Sequence, residues 1–319
     1  MKKHLLEIEE IKDINVNGVK QSILIRGCKL DSPILLYLHG GPGVSNMYMY
    51  PYEKELEENF IVIKWDQRGT AKSYSKNINK DTFNLEQFIC DTYKVCKYIT
   101  RRFNKKIYLI GHSWGSLLGI KIVQKYPEMF NGYIGVGQLV HDFESEKLSY
   151  PYILNKAKSK KNKYDMYVVN KIIELPYRTK KTADYIGKLT KKYGGSFHNK
   201  KYMYLNILQL LRCKYYSLLD ILKFIKGLSV AEDLSNSILN VDLFKESNKF
   251  QVPIYLFLGK YDYITSSVIA KIYFDFIIAP KKKVVVFDKS AHCPNIEEYK
   301  KFNKEVIDCF LNSNNKYIL

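Results

Sequence analysis

A chain of 319 residues with 46% hydrophobic and 26% charged residues can bury a sizeable core, which excludes a disordered, collagen-like or disulfide-stapled polypeptide. The surplus of 51 Lys and Arg over 32 Asp and Glu, a net charge of +19, raises nucleic acid or an anionic membrane as partners. The lysines are spread along the chain, however, and the densest tracts, "NKAKSKKNK" and "KKTADYIGKLTKKYGG", read as solvated helix faces and loops; neither partner is expected. No run approaches the roughly 18 apolar residues of a membrane span, and "MKKHLLEIEEIKD" at the N-terminus lacks an uninterrupted apolar stretch, so a cytoplasmic protein is expected. Cys28, Cys90, Cys96, Cys213, Cys293 and Cys309 lie without C-x-x-C spacing, which predicts free thiols, no metal site and no cofactor.

In chain order, "INVNGVKQSILIRG" carries two runs around Asn17-Gly18, a dipeptide that tolerates positive φ, and predicts an antiparallel edge hairpin. The short, nearly continuous apolar runs "ILLYLHG", "FIVIKWD", "IYLIGHS" and "YIGVGQ" suit strands covered on both faces, hence a parallel sheet flanked by helices. Between them "TFNLEQFICDTYKVCKYITRRF" repeats Leu85, Phe88, Ile89, Val95, Cys96 and Ile99 at helical spacing. From His141 to Phe250 the strand signal disappears and basic, tyrosine-rich helices such as "YDMYVVNKIIEL" and "NILQLLRCKYYSLLDILKFI" are expected. Strands resume at "VPIYLFLG" and "KVVVFD", and "NIEEYKKFNKEVIDCFL" closes as an amphipathic helix. The expected organisation is an α/β core formed by residues 1–140 and 251–319, with an all-helical cap at 141–250 inserted after the sixth strand.

Chemistry is suggested first by "IYLIGHSWGSLLGI". Gly111-His112-Ser113-Trp114-Gly115 joins a strand-like run directly to a helix, and small residues at 111 and 115 relieve the crowding of so sharp a turn. The junction resembles the nucleophile elbow of the α/β-hydrolases, which lifts a serine clear of the sheet. A serine hydroxyl needs a base and an orienting carboxylate. His292, in "FDKSAHCPN" after the last strand-like run, is the candidate base. His39 and His112 lie in glycine-rich turns and are read as structural; His4, His141 and His198 have no comparable setting. Asp262, a few residues past "VPIYLFLG", is the candidate acid, with Asp142 after "YIGVGQLV" as its rival. The glycine-rich loop His39 to Gly43 ends another strand and brings backbone amides close to a ligand; the N–H groups of Gly41 and Trp114 are the candidate oxyanion hole.

Together "HGGPG" at 39–43, "DQRGTAKS" at 66–73, "GHSWGS" at 111–116, "GKYDYIT" at 259–265 and "SAHCPN" at 290–295 resemble the proline iminopeptidase-like branch of the α/β-hydrolases. The resemblance implies a Ser113–Asp262–His292 triad, a cis peptide before Pro42, and a structural rather than catalytic role for Asp66 and Arg68. Ala71 departs from the family's usual glycine, a change that a negative φ would tolerate. The resemblance further implies cap carboxylates that hold a substrate's free amino terminus. Glu144, Glu146, Glu174 and Glu232 are the candidates, each read as a surface residue amid lysines.

The expected function is therefore a serine hydrolase acting on a small-molecule or short-peptide substrate. An aminopeptidase releasing an N-terminal residue, preferentially proline, is favoured over an esterase on small esters. A non-catalytic binding protein on the same scaffold is the reading from a different class. The aspartate nucleophile of dehalogenases and epoxide hydrolases is excluded by Ser113. Neither the oligomeric state nor the natural substrate is written in these patterns.

Overall fold

The computed structural model describes residues 4–175, 179–228, 234, 238, 239 and 241–312. Its centre is an eight-stranded sheet of order β1-β2-β4-β3-β5-β6-β7-β8. The edge hairpin pairs β1 (Ile8–Val16) with β2 (Val19–Gly27) antiparallel, and Asn17 and Gly18 turn the chain at φ 49° and 78°, the backbone a two-residue hairpin needs. Strand β2 also runs antiparallel to β4 (Ile61–Asp66). The remaining neighbours are parallel: β3 (Ile34–Leu38) with β4, then β5 (Ile107–His112), β6 (Phe130–Val136), β7 (Ile254–Gly259) and β8 (Lys282–Phe287).

Every residue of β3, β4 and β7 is buried, because helices cover both faces. On one face pack α2 (Leu85–Phe103), which buries Phe88, Val95, Cys96 and Ile99, and α3 (Trp114–Lys125). The opposite face is covered by α1 (Lys54–Asn59) through Leu56 and by the last helix, through Phe302, Val306 and Phe310. Asn84 caps α2 by accepting from Gln87 N–H, and Asn104 ends it in the left-handed conformation.

Between β6 and β7 the described residues form helices: α4 (Asp142–Ser159), α5 (Lys163–Ile173), α6 (Lys180–Lys192), α7 (Lys200–Leu211), α8 (Leu218–Gly227) and α9 (Leu243–Glu246). The run expected as continuous helix from Asn206 to Ile225 is broken at 212–217. Ser217 starts α8 with a capping box, its hydroxyl accepting from Asp220 N–H and the Asp220 carboxylate accepting from Ser217 N–H. After β7 come α10 (Ser267–Phe276), α11 (Pro294–Glu297) and α12 (Tyr299–Phe310). The expected terminal helix is thus also two pieces, parted at Glu298, whose carboxylate turns back to accept from Lys289 N–H and Ser290 Oγ.

The strand order places the functional loops. Strand β3 sits between β4 and β5, so the chain leaves it toward one edge and later returns on its other side. Loops at the carboxyl ends of two such strands diverge and leave a crevice, the usual ligand position in an open α/β sheet. The loops after β3 and β5 are His39–Gly43 and the Ser113 turn.

Candidate active site

The serine turn is forced by sterics. A Cβ on Gly111 would lie 2.3 Å from Gly115 O, and one on Gly115 would lie 2.3 Å from Leu38 O, so only glycine lets α3 start directly against β5 and β3. Ser113 takes up the remaining bend at φ 55°, ψ −119°, a conformation that costs a non-glycine residue about 1–3 kcal/mol. It is held there by its N–H donating to Val136 O at 2.9 Å and by its carbonyl accepting from Ser116 N–H and Oγ. The Trp114 amide, first of α3, belongs to the unpaired N–H groups of a helix start. Gly41, at φ 115°, precedes a cis peptide to Pro42 and, with Trp114 and Ser113, lines one cavity.

His292 and Asp262 meet at the ends of β8 and β7. His292 Nδ1 and Asp262 Oδ2 are 2.8 Å apart, and both side chains are buried. Burial pushes the Asp262 carboxyl up, but the His292 ring and the amides of Thr265 and Ile264 outweigh it and hold the group below its ordinary value. Thr265 Oγ1 donates to the same Oδ2 at 3.0 Å. The Nδ1 contact leaves His292 Nε2 for the Ser113 hydroxyl. The two line a common cavity but are not hydrogen-bonded in this arrangement, a bond that commonly tightens only when substrate binds. The rival Asp142 begins α4 and lines the Gly41 cavity, whereas the carboxylate hydrogen-bonded to His292 is that of Asp262.

Several supports carry no signal in sequence periodicity. Gly137, at φ 51°, directly follows β6 and lies against the pair: a Cβ there would lie 2.9 Å from His292 Cε1 and Nδ1. Gln67 donates from Nε2 to His39 O at 3.0 Å and accepts at Oε1 from Trp114 Nε1 at 3.0 Å, joining the glycine loop to the serine turn. Glu297 accepts from Ala291 N–H and Asn199 N–H, fixing the approach to His292. His39 donates from Nδ1 to Gly40 O and accepts at Nε2 from Gln67 N–H, and burial lowers its pKa to about 4. It is a neutral brace, as its sequence setting suggested. Arg68 grips Asp91 with two nitrogens, and Asp66 accepts from Tyr216 OH, Ser45 Oγ and Lys72 N–H, which clamps the α7–α8 connection to the sheet.

Two expectations change. Ala71 sits at φ 40°, so the negative φ that would excuse its methyl is absent. Among the glutamates, Glu144 and Glu174 are paired with Lys147 and Lys171, and Glu232 lies outside the described residues. Glu146 is not on the surface: it is buried, accepts from Tyr150 OH at 2.5 Å, and lines the Gly41 cavity with Asp142 and Asp184. That cavity, about 380 Å³, also carries Lys180, Lys188 and Lys191. Among the described residues no helix is long and apolar enough to cross a membrane, and all six thiols are free.

Residues 33–299 match the family model described as the alpha/beta hydrolase fold. The chain is 33% identical to a probable aminopeptidase, YbaC, of Bacillus subtilis (strain 168), covering 90% of this chain and 92% of that protein. It is 27% identical to a proline iminopeptidase of Heyndrickxia coagulans, over 88% and 91% of the two chains. Among solved structures it is similar to a proline iminopeptidase-related protein of Thermus thermophilus, with TM-score 0.66, 17% identity, and 96% and 99% of the chains covered.

Proposed function

Since the chain belongs to the α/β-hydrolase fold family, we propose that it is an aminopeptidase of the proline iminopeptidase type, releasing an N-terminal residue, preferentially proline, through an acyl-enzyme on Ser113. The observation that carries this reading is Ser113 held at φ 55° in a cavity it shares with His292, whose Nδ1 is hydrogen-bonded to the buried Asp262.

In the proposed reaction Ser113 Oγ attacks the scissile carbonyl carbon while His292 Nε2 takes its proton. The negative charge on the carbonyl oxygen is met by the Gly41 and Trp114 N–H groups, each such donor supplying about 2.7–4 kcal/mol of transition-state stabilisation. His292 then gives the proton to the departing amine as the C–N bond breaks. A water, deprotonated by the same imidazole, releases the acyl group as a carboxylic acid and restores Ser113. Asp262 holds Nδ1–H and favours the imidazolium that forms twice in the cycle.

We assign residues 141–250 as a cap over this site. Its buried Glu146, in the cavity with Ser113, is the carboxylate best suited to a substrate's ammonium, because a desolvated charge-assisted contact is stronger than one in water. Free thiols agree with a cytoplasmic location. Comparing turnover of proline 4-nitroanilide with that of 4-nitrophenyl acetate tests the reading. Anilide cleavage that falls in Glu146→Gln, mainly through KM, is expected. Ester turnover with no anilide cleavage makes the protein an esterase instead.

A further inference from the structure

A second cavity, of about 200 Å³, meets the first at Gly41, Ser113, Lys191 and Ile264. Its wall holds Tyr37, Asn46, Asn206 and Asn295. Buried polar atoms in folded proteins nearly always have partners, so each exception calls for a cause. Of eight buried side-chain polar atoms without a hydrogen-bond partner among the described residues, five are on these four residues: Tyr37 OH, both Asn46 amide atoms, Asn206 Oδ1 and Asn295 Oδ1. Leaving such atoms unpaired costs about 1–3 kcal/mol each, an unusual concentration for one small cavity.

The wall is also held in place. The Asn46 carbonyl accepts from Lys64 Nζ at 2.8 Å, and Lys64 is itself buried against Glu53. Asn206 Nδ2 donates to Tyr48 OH, and Asn295 Nδ2 lies 3.6 Å from Met49 Sδ. The Asn206 and Asn295 amides are thus held by their nitrogen ends, Asn46 is held through its backbone, and the Tyr37 ring lies under Lys64 Nζ. The unpaired amide and phenol groups are uncharged and include both donors and acceptors, and the cavity's one formally charged lining residue among the described residues is Lys191, which is exposed. Such a wall matches an uncharged amide rather than an ion.

Direction comes from His292, which lines this cavity and not the larger one. In acyl transfer from a serine triad the imidazolium protonates the leaving group, so the leaving group departs on the imidazole's side. The carboxylate-bearing cavity then takes the acyl portion. We propose that the 200 Å³ cavity is the leaving-group subsite, and that Asn46, Asn206, Asn295 and Tyr37 select leaving groups that carry an uncharged amide. This rests on the Ser113–His292 assignment above, and extends it to the side of the substrate that follows the scissile bond.

The test uses two esters of one acid, the glycolamide ester and its near-isosteric isobutyl ester, prepared for both L-proline and acetic acid. Each kcat/KM is divided by the ester's hydroxide-catalysed rate to remove the alcohols' different reactivity. The wild type is expected to favour glycolamide by about tenfold or more, the worth of one or two hydrogen bonds. Asn46→Leu and Asn206→Leu are each expected to cut that ratio severalfold. Because Asn46→Leu replaces unpaired polar atoms by apolar ones of similar size, its thermal midpoint should match or exceed that of the wild type. A wild-type ratio near one, no turnover of any ester, or a ratio unchanged in both variants would overturn the subsite. Activity confined to the acetate pair would overturn the aminopeptidase reading while still reading out the amide preference.

Discussion

His112 Nε2 donates a 2.8 Å hydrogen bond to the backbone oxygen of His292, tying the residue before the proposed nucleophile to the loop that carries the proposed base. Burial, reinforced by the His292 ring 4.9 Å away, lowers the His112 pKa to about 3. The ring is thus a neutral donor at working pH, a positioning residue rather than a second base. In His112→Phe the His292 carbonyl loses its donor, so kcat should fall about tenfold with KM less affected and the pH profile unmoved. A displaced profile would show that His112 titrates in the reaction.

Asp262→Asn should lower kcat by about four orders of magnitude, as the loss of an orienting carboxylate does in other triads. Asp142→Asn should retain far more activity. The reverse order in steady-state rates would transfer the acid's role to Asp142.

Gly137→Ala places a methyl against the His292 ring, at a φ that also disfavours alanine. Displacing the imidazole by a fraction of an ångström should cost about 100-fold in kcat/KM while circular dichroism still reports a folded chain. Unchanged turnover would show that the ring has room to move.

Ala71→Gly should stabilise the protein by about 1 kcal/mol, because alanine is strained at φ 40° and glycine is not. Urea denaturation measures this directly, and a destabilised variant would mean that packing of the buried methyl outweighs the strain.

Burial raises the Asp66 pKa to about 6, against the lowering effect of Ser45, Tyr216 and Lys72. The folded state therefore holds a proton that the unfolded chain has released between about pH 4 and pH 6, so this contribution to stability is present below that window and is lost as pH rises through it. The stability of the wild type relative to Asp66→Asn should fall over the same interval. A pH-independent difference between the two urea midpoints would contradict the shift.

What the sequence made legible follows from which forces leave a local trace. Doubly covered strands must be apolar throughout, so β3, β5 and β7 stand out, and the loops at their ends carry the serine, the glycine loop and Asp262. The break before α8 had a local trace as well, the Ser217–Asp220 capping box, but one that an apolar run of helical period obscures. Gly137, Asn46 and Asn206 left none, and Gln67 and Asn295, although they lie in "DQRGTAKS" and "SAHCPN", gave no sign of their roles, because those depend on groups brought together by folding: Gln67 meets Trp114 across 47 residues. Glu146 was hidden by its surroundings in the chain, where nearby lysines suggest a solvated face although its own carboxylate turns inward.

The proposed chemistry stands on Ser113 as the nucleophile and His292 as its base. Treating the protein with a fluorophosphonate and locating the adduct by peptide mass spectrometry tests it most directly. A single adduct on Ser113 is expected, with much slower labelling in His292→Ala and none in a folded Ser113→Ala. An adduct on another residue, or labelling that persists without Ser113, would contradict it.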